Sequence, residues 1–194
     1  MMKKVIVISI ISLFISLQIK AQTVEITSMD EIDWENPSEL LQNSSFYLLN
    51  GKGNVALTGT YRKGKKDGTF LYFYGKGLYK EENYKRGVLS GFWLEFIPHG
   101  SQKGFYRKGK KEGIWILTKD SQYEETEYKN DVLDGHYKYA NYDADSVVIG
   151  HYKKGKKTGI WIHYNNKQEE IYREIFKEGK MLEKQYVLEN SFSR

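Results

Sequence analysis

The chain has 194 residues, 40% hydrophobic and 28% charged, with a formal net charge of +5. That balance excludes a disordered chain, which combines low hydrophobicity with high net charge. Cysteine is absent, so disulfides and attachment through a lipobox cysteine are excluded.

The N-terminus reads as a targeting segment. Lys3 and Lys4 make a basic start, residues 5–17 are apolar, and the small residue Ala21 closes the stretch. This is the pattern of a secretory signal peptide over residues 1–21, cleaved after Ala21. The apolar run is short against the about 20 residues that a membrane span needs. Export to a bacterial periplasm, the outer envelope or the medium follows. Cleavage removes Lys3, Lys4 and Lys20 and lowers the net charge from +5 to +2. The charge therefore gives no argument for a nucleic-acid partner.

Residues 22–45 are acidic, with Asp30, Glu31, Asp33, Glu35 and Glu39. Ser28 and Glu31 have capping-box spacing, and Pro37 breaks any long helix. The segment reads as a cap on the first edge strand, which otherwise exposes unpaired backbone. The alternative is a partner-binding arm.

Residues 46–190 repeat. The aromatic anchors Tyr61, Tyr84, Tyr106, Tyr128, Tyr152 and Phe176 are spaced by 22–24 residues, a period that marks repeat architecture. Three residues after each anchor stands Gly64, Gly87, Gly109, Asp131, Gly155 or Gly179. This position wants positive φ, as in a hairpin turn. Seven residues after the first five anchors stands Gly68, Gly91, Gly113, Gly135 or Gly159. Two residues further stands Phe70, Trp93, Trp115, Tyr137 or Trp161. The second glycine reads as a strand start where an aromatic of a neighbouring repeat lies on bare backbone. The alternative is that it only relieves backbone strain.

Between these modules the sequence is aromatic and β-branched, with short turn signals. Each repeat is thus two antiparallel strands. The predicted fold is all-β: an elongated single-layer antiparallel meander of about thirteen strands, twisted or curled. Residues 181–189 should cap or form its far edge.

The turns alternate in character. Lys65, Lys66, Lys110, Lys111, Lys156 and Lys157 make three basic turns, separated by turns with Val88-Leu89 or Val132-Leu133. The true unit is therefore two repeats. The six lysines are candidates for a face that meets an anionic ligand. As exposed turn residues they should be exchangeable without loss of fold, and keeping the turns soluble is their simpler role.

Catalytic signals are missing. No triad, paired-carboxylate motif or phosphate-binding loop occurs. His151 and His163 flank one hairpin as a possible metal pair, but no third ligand is suitably spaced. No catalytic, cofactor or metal site is predicted. The two aromatic rows would stack on sugar rings if exposed and would supply the core if buried.

The pattern Gly-x-Tyr-x-x-Gly-Lys-x-x-Gly-x-Trp is carried by Gly104, Tyr106, Gly109, Lys110, Gly113 and Trp115, and again from Gly150 to Trp161. It resembles the MORN-repeat variant of bacterial proteins, often labelled antitoxin-like, over residues 46–182. The resemblance implies a hairpin-repeat fold and a scaffolding or interaction role, with phospholipid binding in some eukaryotic examples. An export signal directs this chain away from any cytosolic toxin. The expected function is an exported, non-enzymatic protein–protein interaction or scaffolding module. The alternative is a module binding envelope glycan, anionic polysaccharide or lipid headgroups.

Overall fold

The computed structural model describes the backbone of residues 22–26, and residues 42–50, 52–165 and 167–187 in full. The expected signal peptide and the acidic residues from Asp30 to Glu39 lie outside the described residues. The chain divides into two compact units, Met1–Glu95 and Phe96–Arg194.

Every regular element among the described residues is a β-strand. The first unit holds β1 (Gln22–Ile26), β2 (Ser44–Leu49), β3 (Val55–Arg62), β4 (Lys65–Lys66), β5 (Gly68–Tyr74), β6 (Gly77–Lys85) and β7 (Val88–Ile97), whose last two residues fall in the second unit. Its strand order is β1-β2-β3-β5-β6-β7, with β4 paired to β3. β1 runs parallel to β2, from Gln22↔Ser44 to Ile26↔Leu48, and covers backbone that would otherwise be an open edge. The second unit holds β8 (Gly100–Arg107), β9 (Lys110–Lys119), β10 (Gln122–Lys129), β11 (Val132–Asn141), β12 (Ser146–Lys153), β13 (Lys156–Asn165), β14 (Glu170–Lys177) and β15 (Lys180–Tyr186). They follow one another in sequence order as antiparallel neighbours, and β15 forms the end of this sheet, as expected. Without β1 and the two-residue β4, thirteen of the fifteen strands among the described residues remain, matching the predicted meander.

The turns explain the topology. In six of the two-residue connections both central residues have positive φ: Lys63 and Gly64 (52° and 69°), Arg86 and Gly87 (54° and 83°), Lys108 and Gly109 (52° and 79°), Asn130 and Asp131 (52° and 68°), Lys154 and Gly155 (49° and 78°), Glu178 and Gly179 (51° and 84°). Positive φ at both positions marks the type I′ turn, whose twist matches that of the strands it joins. Asp131 adopts the left-handed geometry expected of it. Because hairpins alternate in direction, all such turns within a unit lie at one end of its strands. Backbone bonds tie four of them to the hairpin before. Gly87 N donates to Lys66 O at 2.7 Å in the first unit. In the second, Asp131 N donates to Lys111 O, Gly155 N to Leu133 O and Gly179 N to Lys157 O, at 2.7–3.0 Å.

The aromatic positions share one face and interlock. In the first unit Tyr61 meets Phe70 edge-on at 5.7 Å, and Phe70 meets Tyr84 at 5.4 Å. In the second, Trp115 lies 5.0 Å from Tyr106 and 6.4 Å from Tyr128. Trp161 lies 5.1 Å from both Tyr137 and Tyr152, and 6.1 Å from Phe176. Phe70, Trp93, Trp115 and Trp161 are buried, and Tyr137 is half-buried. Phe46, Leu48 and Leu57 complete the core of the first unit.

The glycines divide differently from the expectation. The ring lies on bare backbone at the leading glycine, two residues before the anchor. A Cβ on Gly59 would stand 2.5 Å from Phe70, and one on Gly104 or Gly150 would overlap the Trp115 or Trp161 ring. The second glycines do not serve this purpose. Gly68, Gly113 and Gly159 have φ of 94°, 70° and 68°, and a Cβ there meets nothing within 4 Å. Gly91 and Gly135 also have positive φ. The second glycine is thus required by backbone conformation, which non-glycine residues adopt at a cost.

Candidate functional site

The predicted lysine face divides in two. Neighbouring residues of a strand point to opposite faces, so the lysines of each pair part company. Lys66 Nζ lies 5.0 Å from the Phe70 ring centre and 4.8 Å from that of Tyr84. Lys111 Nζ lies 4.1 Å from Trp115 and 5.1 Å from Tyr128. Lys157 Nζ lies 4.1 Å from Trp161 and 5.0 Å from Phe176. These three lysines roof the aromatic row, each with its stem packed and its cation over two ring faces. Burial pushes the pKa of Lys111 down, against the pull of Asp131. Lys65, Lys110 and Lys156 stay exposed; Lys65 passes beside Gly87 and Lys156 beside Gly179.

The expectation that all six lysines exchange freely therefore needs correction. Lys111→Gln should destabilise the protein by about 0.5–2 kcal/mol, the range of cation–π contacts. Lys110→Gln should stay within about 0.5 kcal/mol of wild type. Urea unfolding of the two variants side by side checks this, and equal effects would contradict it.

The exposed cations gather where two turns adjoin. Arg62, Lys63, Lys65, Lys85 and Arg86, with Asp67, line a cleft of about 610 Å³ in the first unit. Asp67 is engaged within it: Oδ2 accepts from Arg86 N at 3.1 Å, and Oδ1 lies 3.9 Å from Arg62 Nε. Glu112 does the same in the second unit, accepting from Asn130 N at 3.0 Å. Arg62, Lys63, Lys85 and Arg86 were not among the expected site residues. The sequence signal for them was present: Arg86 occupies the turn position held by Asn130 and Glu178 in the other even-numbered repeats.

Two polar clusters interrupt the aromatic face. Glu82 is only 7% exposed. It accepts from Tyr72 Oη and Tyr84 Oη and pairs with Lys80 Nζ, all at 2.8 Å. Burial alone pushes its pKa up. The bonds from Lys80, Tyr72 and Tyr84 outweigh burial and hold the carboxyl below its ordinary 4.5. Burial and the neighbouring carboxylate push Tyr72 up. A depressed folded pKa means that the stability Glu82 supplies is present above pH 4.5 and lost as pH falls through the folded value. Stability measured from about pH 6 to about pH 3 should fall more steeply in wild type than in Glu82→Gln. Parallel profiles would detach Glu82 from acid sensitivity.

The second cluster surrounds Glu174. His163 Nε2 lies 3.3 Å from Glu174 Oε2, and its ring stacks on Tyr172 at 4.1 Å. Burial holds the His163 pKa down despite Glu174. The His151–His163 pair that the hairpin allowed in sequence does not form. His151 stands opposite Thr158, and His163 opposite Val148, because the strands of the hairpin are in a different register. His151 instead meets His136, ring centres 5.6 Å apart, across β11 and β12. Among the described residues no three His, Asp or Glu side chains are grouped to hold a metal ion.

Opposite the aromatic row, the second unit presents apolar side chains to solvent. Phe105, Ile114, Ile160 and Ile171 are 54%, 50%, 48% and 44% exposed. They alternate along their strands with Gly104, Trp115, Trp161 and Tyr172 of the aromatic side. No protein-family model matches this chain, and no curated protein matches it.

Proposed function

We propose that the chain is an exported, non-enzymatic repeat protein of the MORN-variant kind, acting as a protein–protein interaction or scaffolding module. The observation that carries this reading is the contrast between the two faces of the second unit. Its aromatic row is packed against itself beneath Lys111 and Lys157, which leaves few ring faces for a sugar. Its other face offers Phe105, Ile114, Ile160 and Ile171 among charged neighbours. Exposed apolar side chains of this kind are what protein interfaces bury.

The test uses immobilised protein and envelope extract. Wild type should retain a partner saturably, and a Phe105→Ser, Ile114→Ser, Ile160→Ser variant should lose it while Lys110→Gln keeps it. Retention that survives the triple substitution would overturn the reading. N-terminal sequencing of protein from the envelope should begin at or near Gln22, and intact chain confined to the cytosol would overturn export.

A further inference from the structure

We propose that the cleft between the turns at 63–64 and 86–87 binds a compact polyphosphate group, of the diphosphate or triphosphate kind. Five cations line it, Arg62, Lys63, Lys65, Lys85 and Arg86. The single carboxylate, Asp67, is held by the Arg86 backbone and faces Arg62. An unbalanced cationic cleft attracts anions strongly, and its self-repulsion is relieved when one binds.

The backbone frame is fixed before any ligand arrives. Gly64 N donates to Gln42 O at 3.0 Å, and Gly87 N donates to Lys66 O at 2.7 Å. Lys63 N donates to Asn43 Oδ1 at 3.0 Å. The turn amides are thus engaged, and recognition falls to side chains. Adjacent turns stand two strand spacings apart, roughly 10 Å. Arg62 reaches in from one turn and Arg86 from the other. A guanidinium fork fits phosphate oxygens in bidentate fashion, and lysines add compact charges around it. The cleft, about 610 Å³, has room for a compact polyphosphate.

Sequence at the equivalent places argues against a purely solubilising role. Arg107, Lys108 and Lys110 adjoin a turn bearing Asp131, and Lys153, Lys154 and Lys156 adjoin one bearing Glu178. Each basic turn of the second unit has an acidic residue in the turn that follows. In the first unit that following turn bears Arg86 and Gly87. The proposal does not rest on the protein-docking reading, which uses Phe105, Ile114, Ile160 and Ile171 and none of the residues that line the cleft.

Purified protein titrated with inorganic tripolyphosphate in about 0.1 M salt should bind one equivalent and melt at a higher temperature, because the ligand binds the folded state. Arg62→Gln with Arg86→Gln should weaken binding by about tenfold or more, the scale of losing charge-assisted bonds. Lys108→Gln with Lys154→Gln removes the same charge from the second unit and should leave affinity within about twofold. If the arginine variant fails to fold by circular dichroism, Lys65→Gln with Lys85→Gln replaces it, with the same expectation. Vesicles bearing a phosphomonoester headgroup form a second arm. Arginine-dependent binding of the soluble anion supports a free ligand, and arginine-dependent binding of vesicles alone assigns the same chemistry to a lipid. Equal weakening by the control pair, equally tight binding of citrate, or no binding in either arm would overturn the proposal.

Discussion

Trp115→Ala should cost about 3–5 kcal/mol in urea unfolding, the scale of a large side chain removed from a packed core. Trp115 is 2% exposed and sits between Tyr106 and Tyr128. It roofs the bare backbone of Gly104, its Nε1 donates to Phe105 O at 3.2 Å, and Lys111 covers its face. A thin sheet has no second layer to collapse into the vacancy, so much of the cavity should persist. The loss of the ring also removes the nearer of the two rings that Lys111 covers. A measured loss below about 1 kcal/mol would show that the aromatic row is not the core. Trp161 supplies an internal comparison. It is equally buried, but its Nε1 has no hydrogen-bond partner among the described residues. Trp161→Phe gives up no indole hydrogen bond, so it should cost less than Trp115→Phe.

Gly104→Ala should be damaging for so small a substitution. The added methyl would occupy the place of the Trp115 ring, so ring or strand must move. Overpacking of this kind costs about 1–3 kcal/mol. Gly113→Ala meets open space at φ 70° and carries only the left-handed backbone penalty, about 1–2 kcal/mol. Size separates the two causes. Gly113→Val should penalise little beyond Gly113→Ala apart from its branched backbone preference, whereas Gly104→Val should fail to fold. A double-mutant cycle gives the direct check: Gly104→Ala and Trp115→Ala should couple by about 0.5–3 kcal/mol, because once the ring is gone the methyl has room. Strict additivity would refute the account of the leading glycine.

The hairpins were readable because their cause is local. A glycine three residues after each aromatic anchor fixes a two-residue type I′ turn, and Asp131 obeys the same rule without being glycine. The row at Phe70, Trp115 and Trp161 was readable from period, whereas its burial, left open by sequence, depends on the packing of neighbouring strands. What the glycines do was not readable, because two demands converge on one residue type. Gly113 answers to its own φ and Gly104 to a ring on the next strand, and sequence writes both as glycine. The division of Lys65 from Lys66 was available, since Lys66, Gly68 and Phe70 share the parity of one strand face. The cationic cleft was harder. It needs Arg86, 24 residues beyond Arg62, to be placed beside it, and only the stacking of successive turns does that. The His136–His151 pair was missed for a similar reason: it depends on register across β11 and β12.

The alternation two residues before each anchor bears on how such a chain can grow or shrink by inheritance. Gly59, Gly104 and Gly150 stand there in one set of repeats, and Glu82, Thr126 and Glu174 in the other. The glycine strands receive a ring. The polar strands lie between rings instead: Thr126 faces Trp115 and Tyr137, and Glu82 faces Phe70 and Trp93. An in-frame deletion of one hairpin would set two glycine strands where a filled position and its hydrogen bonds belong. A deletion or duplication of two hairpins, the 45 or 46 residues from one leading glycine to the next, restores every neighbour. Descendants of this gene should therefore differ in length by pairs of repeats, with odd copy numbers purged as folding failures.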